Sequence, residues 1–338
     1  MTAKYRIGIA GLDHHYAGLA AAESAAKNPL TEIVAIAHRH PGQLAETAKK
    51  FGVSATTANY REITQRDDVD IVVTACYCNE NPDLVREAAR NGKHIVSVKP
   101  VALDVAGAEA IVEAVRAARV KFISNENTFL ISPAYKRMKT WIDEGRIGKP
   151  ITAHATMRAS IPRTPWPGER GDTWWLDKTK SPGGGWIDHS IYYIAALRWF
   201  FGAEITRSGG EIGNVVDPSL KSRGLEDFGV ANLRFSGGQI ATVEVTWHAP
   251  PGASYYTFQI VGTEGQIVWD ETTSGKVSVV GKFDVPGWFQ VNPGPRASSV
   301  LDHLVECLET GKDLVSNELD SRANLAACLD FYKSAKSE

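Results

Sequence analysis

From Arg6 to Ser124 the chain alternates short β-rich runs with helical patterns, and few architectures accept that order. Arg6 to Ala10, Ile33 to Ala37, Ile71 to Ala75, Ile95 to Val98 and Lys121 to Ser124 read as strands. Between them, Ala17 to Lys27, Leu44 to Phe51, Pro82 to Asn91 and Val105 to Ala118 carry helical spacing. Strands separated by single helices are joined by crossovers rather than hairpins, which predicts a parallel, right-handed, doubly wound α/β sheet. Gly92 suits a helix C-cap, and Pro82 suits the first turn of its helix.

Beyond Asn125 the rhythm changes. A helix from Pro133 to Glu144 is followed by alternating runs, Ile151 to Arg158, Phe228 to Phe235, Gln239 to His248 and Tyr255 to Val261. Ser236-Gly237-Gly238 and Thr263-Glu264-Gly265 are turn signals beside these runs. The pattern predicts a largely antiparallel open sheet, one face covered by helices such as Asp188 to Phe200 and Pro133 to Glu144. Helical stretches from Ser298 to Glu309 and from Asp320 to Ser337 close the chain. A length of 338 residues makes two cores the default. The expected division is residues 1–124 and an α+β domain of residues 125–338, with the C-terminal helices packing back on the first.

Charge excludes some function classes. With 37 basic and 39 acidic side chains the net charge is -2, which gives no electrostatic case for a nucleic-acid or membrane partner. No apolar run approaches a spanning length and no signal-peptide core is present, so a cytoplasmic protein is expected. Cys76, Cys78, Cys307 and Cys328 fit that compartment as buried or loop thiols. Cys76-Tyr77-Cys78 is too tightly spaced for a zinc knuckle, and no metal is expected.

Chemistry concentrates at predicted strand ends, as it does in doubly wound sheets. Lys99-Pro100 ends the run Ile95 to Val98, and the proline blocks continuation of the strand, leaving Lys99 at its tip. After the first strand, Gly11-Leu12-Asp13-His14-His15 forms the turn into a helix, where a dinucleotide pyrophosphate would lie on backbone amides. The glycine fingerprint is broken: Gly11 serves the tight turn, but Asp13 and Tyr16 replace the next two glycines. Asp13 is expected to cap the helix, and His14 and His15 either flank phosphate or line the loop. The second strand ends in His38-Arg39, not in an acidic residue, a cationic pair that favours NADP over NAD through a 2′-phosphate.

With strand, turn and Lys-Pro in this order, the chain resembles the glucose-fructose oxidoreductase, inositol dehydrogenase and rhizopine-catabolism family, Gfo/Idh/MocA. The resemblance runs nearly end to end and rests on an ordered set of segments. Gly92-Lys93-His94 precedes Val98-Lys99-Pro100, where the family has Glu-Lys-Pro; Asp143 to Pro150 resembles its domain junction, and Phe258 to Gly265 its antiparallel sheet. The family also has a glycine triplet followed by an aspartate and, four residues on, a histidine. Here Gly183-Gly184-Gly185 leads to Asp188, which takes the aspartate position, while Tyr192 takes the histidine position and a histidine stands at 189.

The resemblance implies a Rossmann domain followed by an α+β domain, and an NAD(P)-dependent oxidoreductase acting on a secondary alcohol or ketone of a sugar, polyol or sugar acid. It implies that Lys99 donates to the reacting oxygen, that Asp188 orients a base or binds a substrate hydroxyl, and that His189 or Tyr192 transfers the proton. His189 is favoured for its ordinary pKa near neutrality. Cys76, Tyr77, Asn79 and Asn81 follow the third strand, where relatives contact the nicotinamide side, and Pro100 accompanies Lys99 there. The loop holding Arg163, Trp174 and Trp175 offers aromatic faces and a cation to a carbohydrate-like substrate, or else packs domains or subunits together. A homodimer or homotetramer is implied by the family alone. Two other functions compete: a cofactor-binding regulatory or ligand-sensing protein without turnover, and an NAD-dependent glycoside-cleaving enzyme.

Overall fold

The computed structural model describes residues 4–250, 252–294 and 299–337, so Ser298, expected to begin a helix, lies outside the described residues. The chain divides into two compact units. The first comprises Met1–Thr128, Thr164–Pro182 and Ser298–Leu325; the second comprises Phe129–Arg163, Gly183–Ala297 and Ala326–Glu338. The expected single cut after residue 124 thus gives way to an interleaved division, in which residues 164–182 return to the first unit.

In the first unit, β1 (Tyr5–Ala10), α1 (His15–Lys27), β2 (Thr31–Ala37), α2 (Pro41–Phe51), β3 (Thr56–Thr57) and α3 (Tyr60–Gln65) are followed by β4 (Ile71–Thr74), α4 (Asn81–Arg90), β5 (His94–Ser97), α5 (Val105–Ala118) and β6 (Phe122–Ser124). Among the described residues these strands form a parallel six-stranded sheet in the order β3-β2-β1-β4-β5-β6. Ile7, Ile9, Ile36, Val72, Val73, Ile95 and Val96 are fully buried, as strands covered on both faces require. The direction of winding reverses between β1 and β4, and a ligand crevice in such a sheet lies beyond the strand ends at that reversal.

The second unit contains α6 (Pro133–Asp143), β7 (Pro150–Arg158), α7 (Gly185–Phe201), β8 (Ile205–Gly213), α8 (Pro218–Ser222), β9 (Phe228–Phe235), β10 (Ile240–Thr246), β11 (Tyr255–Gly262), β12 (Gln266–Asp270), β13 (Lys276–Val280) and β14 (Phe289–Val291). After these, α9 (Val300–Thr310) belongs to the first unit, and α10 (Glu318–Ser334) passes the division between Leu325 and Ala326 before β15 (Lys336–Ser337). The helix expected to reach Ser337 therefore stops at Ser334, and its last residues pair with β8 instead.

Among the described residues the sheet order is β14-β13-β12-β11-β7-β10-β9-β8-β15. Most neighbours are antiparallel, but β7 and β10 run parallel, as do β8 and β15. Ala153, Ala155, Met157, Ala231, Leu233, Val243, Val245, Phe258 and Ile260 are buried, while their alternates are more open. That period of two marks a sheet covered on one face, and α7 packs on β7, β9 and β10.

Candidate active site

The dinucleotide turn is built around two glycines. Gly11 has φ +98°, and a Cβ there would lie 3.0 Å from the Tyr60 ring and 3.2 Å from the Ala75 carbonyl. A Cβ on Gly18 would come within 2.8 Å of Leu12 Cδ2, so this residue provides the close approach of α1 to the sheet. The fingerprint spacing places that glycine at position 16, where the chain has Tyr16; Gly18 stands two residues further on. Gly18→Val should push α1 outward and weaken NADH binding by about tenfold or more, as fluorescence titration would show; unchanged affinity would remove Gly18 from the cradle.

Asp13 does not cap α1. The cap is His14, whose Nδ1 accepts from Ala17 N at 3.3 Å. The Asp13 carboxylate instead accepts from Tyr60 Oη at 2.8 Å and pairs with Arg39 at 2.9 Å, its side chain only 1% exposed. Burial raises its pKa while Arg39 and Tyr60 pull it back. The negative charge is thus turned into the β2 side, and the first turn of α1 contains no acidic residue. Gly11, Gly18 and the α1 N-terminus therefore fit a dinucleotide pyrophosphate despite the broken fingerprint.

The cationic pair at the β2 end also differs from expectation. His38 is buried and neutral: burial lowers its pKa to about 4, against a bond to Gln43, and its Nδ1 accepts from Leu12 N. Arg39 is clamped between carboxylates, reaching both Asp13 and Glu80, and stacks on Tyr77 with its guanidinium carbon 4.3 Å from the ring centre. Burial likewise holds His15 near 4, so it brings no positive charge to the turn. Asp13, His38 and His40 have ligand atoms within 4.8 Å of one another, but the Arg39 ion pair already neutralises the carboxylate a cation would need.

The side chains of Asn81 and Cys76 are interior. The Asn81 amide donates to Ser97 Oγ and Val101 O and accepts from Thr74 Oγ1, and Cys76 is fully buried beside it. Asn79 is exposed, and Pro100 is buried behind Lys99. Lys99 is 2% exposed, its Nζ 4.5 Å from the centre of a Trp175 ring.

That last contact relocates the aromatic loop. Trp174 and Trp175 stack at 4.4 Å within the first unit, and Trp174 Nε1 donates to Asp13 O at 3.0 Å. Trp174 also meets His14 and Tyr77, while Trp166 stacks on His38. The tryptophans therefore accompany the residues expected to hold cofactor. Arg163 lies in the second unit, bonded to Asp217 at 2.7 Å.

In the second unit the structure brings Asp188 and His189 together. Asp188 Oδ2 accepts from Trp247 Nε1 at 3.0 Å and lies 3.1 Å from His189 Nε2. A carboxylate at Nε2 orients the imidazole ring. Tyr192 stacks on Phe129 at 4.9 Å. A second aspartate–histidine pair was not anticipated: Asp227 Oδ1 lies 2.9 Å from His248 Nε2 while the same carboxylate gathers the amides of Val215, Val216 and Asp217.

Residues 5–126 match the family described as an oxidoreductase family with an NAD-binding Rossmann fold, and residues 135–268 match the GFO/IDH/MocA C-terminal domain. The chain belongs to the GFO/IDH/MocA oxidoreductase family. It is 26% identical over 306 residues to scyllo-inositol 2-dehydrogenase (NAD(+)) of Bacillus subtilis, covering 88% of this chain and 84% of that protein. It is 26% identical over 285 residues to levoglucosan dehydrogenase of Pseudarthrobacter phenanthrenivorans, 77% of this chain and 71% of the other. The fold matches a levoglucosan dehydrogenase solved with NADH, with a TM-score of 0.85 at 22% identity over 98% of this chain and 96% of that one. An oxidoreductase domain protein from Kribbella flavida matches equally, with a TM-score of 0.85 at 20% identity over 98% and 97%.

The chain carries a glycine triplet before Asp188, and the geometry shows what the glycines accommodate. Glu226 Oε1 accepts from Gly184 N and Trp186 N at 2.9 and 3.0 Å and from Tyr332 Oη at 2.7 Å. Burial pushes the Glu226 carboxyl up to about 7 against those donors. A carboxyl whose pKa is raised on folding adds stability that is full below its unfolded pKa and is lost as pH rises through the folded one. Glu226→Gln should accordingly flatten part of the fall in Tm between about pH 4.5 and 7; parallel curves for the two proteins would contradict the assignment.

Proposed function

We propose that this oxidoreductase uses NAD to interconvert a secondary alcohol and a ketone on a cyclic polyol or sugar. The observation that carries the reading is Lys99, a buried cation at the C-terminal tip of β5 in the same unit as the dinucleotide turn. Support for the substrate class comes from the curated relatives, whose names specify inositol and levoglucosan. When bound, the nicotinamide supplies the hydride acceptor, so the chain has to bind, orient and move one proton. Gly11, Gly18 and the α1 N-terminus hold the pyrophosphate in this reading. Lys99 donates a hydrogen bond to the substrate oxygen and stabilises negative charge there. His189, oriented by Asp188, takes the hydroxyl proton. A homodimer or homotetramer belongs to the same proposal.

The surroundings of Arg39 support NAD rather than the NADP expected from the sequence. A 2′-phosphate would meet one guanidinium already shared by two carboxylates, beside a neutral His38. NADH should therefore bind about tenfold or more tightly than NADPH. Glu80→Gln should narrow that ratio by about threefold, since this carboxylate is partly exposed. Arg39→Ala should weaken both cofactors alike by exposing the charge of Asp13; loss confined to NADPH would restore the NADP reading.

The deciding experiment is a screen for NADH formation over inositols, anhydrosugars and aldoses, with Lys99→Met as control. Turnover that the control abolishes supports the proposal. Tight NADH binding without turnover on any of them would favour a regulatory protein instead.

A further inference from the structure

The N-terminus of α7 lacks an ordinary cap: Gly184 stands at the N-cap with no side chain to offer its amides. Glu226 fills that role from another part of the chain. Its Oε1 receives Gly184 N and Trp186 N, its backbone oxygen receives Gly185 N at 2.9 Å, and Tyr332 Oη bonds the same carboxylate. The seat admits nothing larger than glycine: a Cβ on Gly184 would fall 2.3 Å from Glu226 O, and one on Gly183 only 2.0 Å from Tyr332 Oη. Trp186 locks the turn, its indole donating to Cys328 O at 3.1 Å and packing 4.1 Å from Phe331. Glu226 is 6% exposed, and among the described residues its carboxylate receives these two amides and the phenol, all neutral donors. A buried carboxylate met by neutral donors is a costly way to fill space, which points to position as its use.

The frame reaches Asp188 from two sides. The helix turn seated on Glu226 sets where Asp188 begins, and Asp227, the next residue, accepts Trp247 N at 2.7 Å while Trp247 Nε1 holds Asp188. We propose that Glu226, braced by Tyr332, is a positioning residue that fixes the first turn of α7 and thereby the placement of Asp188 and His189. This rests on the proposed catalytic use of that pair.

The test uses the full chain and two independent readouts, hydrogen exchange across residues 183–190 and steady-state kinetics on a substrate found in the screen. Glu226→Ala should speed exchange at Gly184 and Trp186 about tenfold or more while β9 and β10 stay protected. It should lower kcat about a hundredfold with KM for NAD unchanged, and Glu226→Gln, which keeps an acceptor in place, should recover most of that loss. Unchanged exchange in folded Glu226→Ala, or unchanged kcat, would overturn the proposal. If Glu226→Ala does not fold, Tyr332→Phe takes its place, with exchange about three- to tenfold faster in the same turn expected and unchanged exchange overturning it. A wild-type protein without turnover would sink the oxidoreductase reading, and the exchange data would still decide whether Glu226 holds the helix.

Discussion

Lys99→Met should lower kcat by about a hundredfold to a thousandfold, the range spanned by a positioned hydrogen-bond donor to developing negative charge. The same change should leave thermal stability equal or higher. Lys99 is 2% exposed against the Trp175 ring, and methionine fills similar volume without a buried charge. A residue kept only for structure would show the opposite signs, with activity little changed and stability lowered. Calorimetry and kinetics on one preparation separate the cases. A variant that is both active and destabilised would reduce Lys99 to a packing residue. Its Kd for NADH should stay within about threefold of wild type, because the proposed cradle for the pyrophosphate is Gly11, Gly18 and α1.

His189→Gln should lower kcat by about a hundredfold, whereas Tyr192→Phe should leave it within about threefold. The difference follows from what each side chain touches. His189 Nε2 lies 3.1 Å from a carboxylate that is itself held by Trp247, an arrangement that orients a base. Tyr192 stacks its ring on Phe129, which the phenylalanine variant preserves. A loss in Tyr192→Phe with His189→Gln unaffected would transfer the proton to the tyrosine. Asp188→Asn should reproduce much of the His189 loss, because an amide facing both donors cannot accept from each in the same way.

The parts of the fold legible from sequence were those whose residues answer to one requirement. Strands buried on both faces must be apolar throughout, and α5 and β9 have the limits read from their periodicity, Val105 to Ala118 and Phe228 to Phe235. Short elements escaped because two or six residues carry no periodicity: β3 and α3 are examples. At the site, Lys99 and Asp188 stood out because a proline and a glycine triplet mark their positions in the chain. Gly18 and Glu226 did not, since each acts on a neighbour distant in sequence: Gly18 on Ala75, Glu226 on Gly184. Asp13 and Arg39 were both noticed, but no spacing rule says that two residues 26 apart neutralise each other. The chemistry of the tryptophans at 174 and 175 suits either substrate contact or packing of domains or subunits; their location in the first unit is a matter of chain path.

Strand β7 lies between β10 and β11, with Thr152 beside Ile240 and Arg158 beside Tyr255. Both partners of an early strand are thus made late. On the ribosome, residues 150–158 must wait until about Thr246 has emerged before the first edge is paired and until about Gly262 for the second, with Ala153, Ala155 and Met157 exposed in the meantime. The first sheet, by contrast, has all its strands within the first 124 residues. Any chain stopped between those two points carries a finished parallel sheet and an open, sticky strand. Synthesis of this protein should therefore depend on chaperone holding in a way that the folding of residues 1–124 does not.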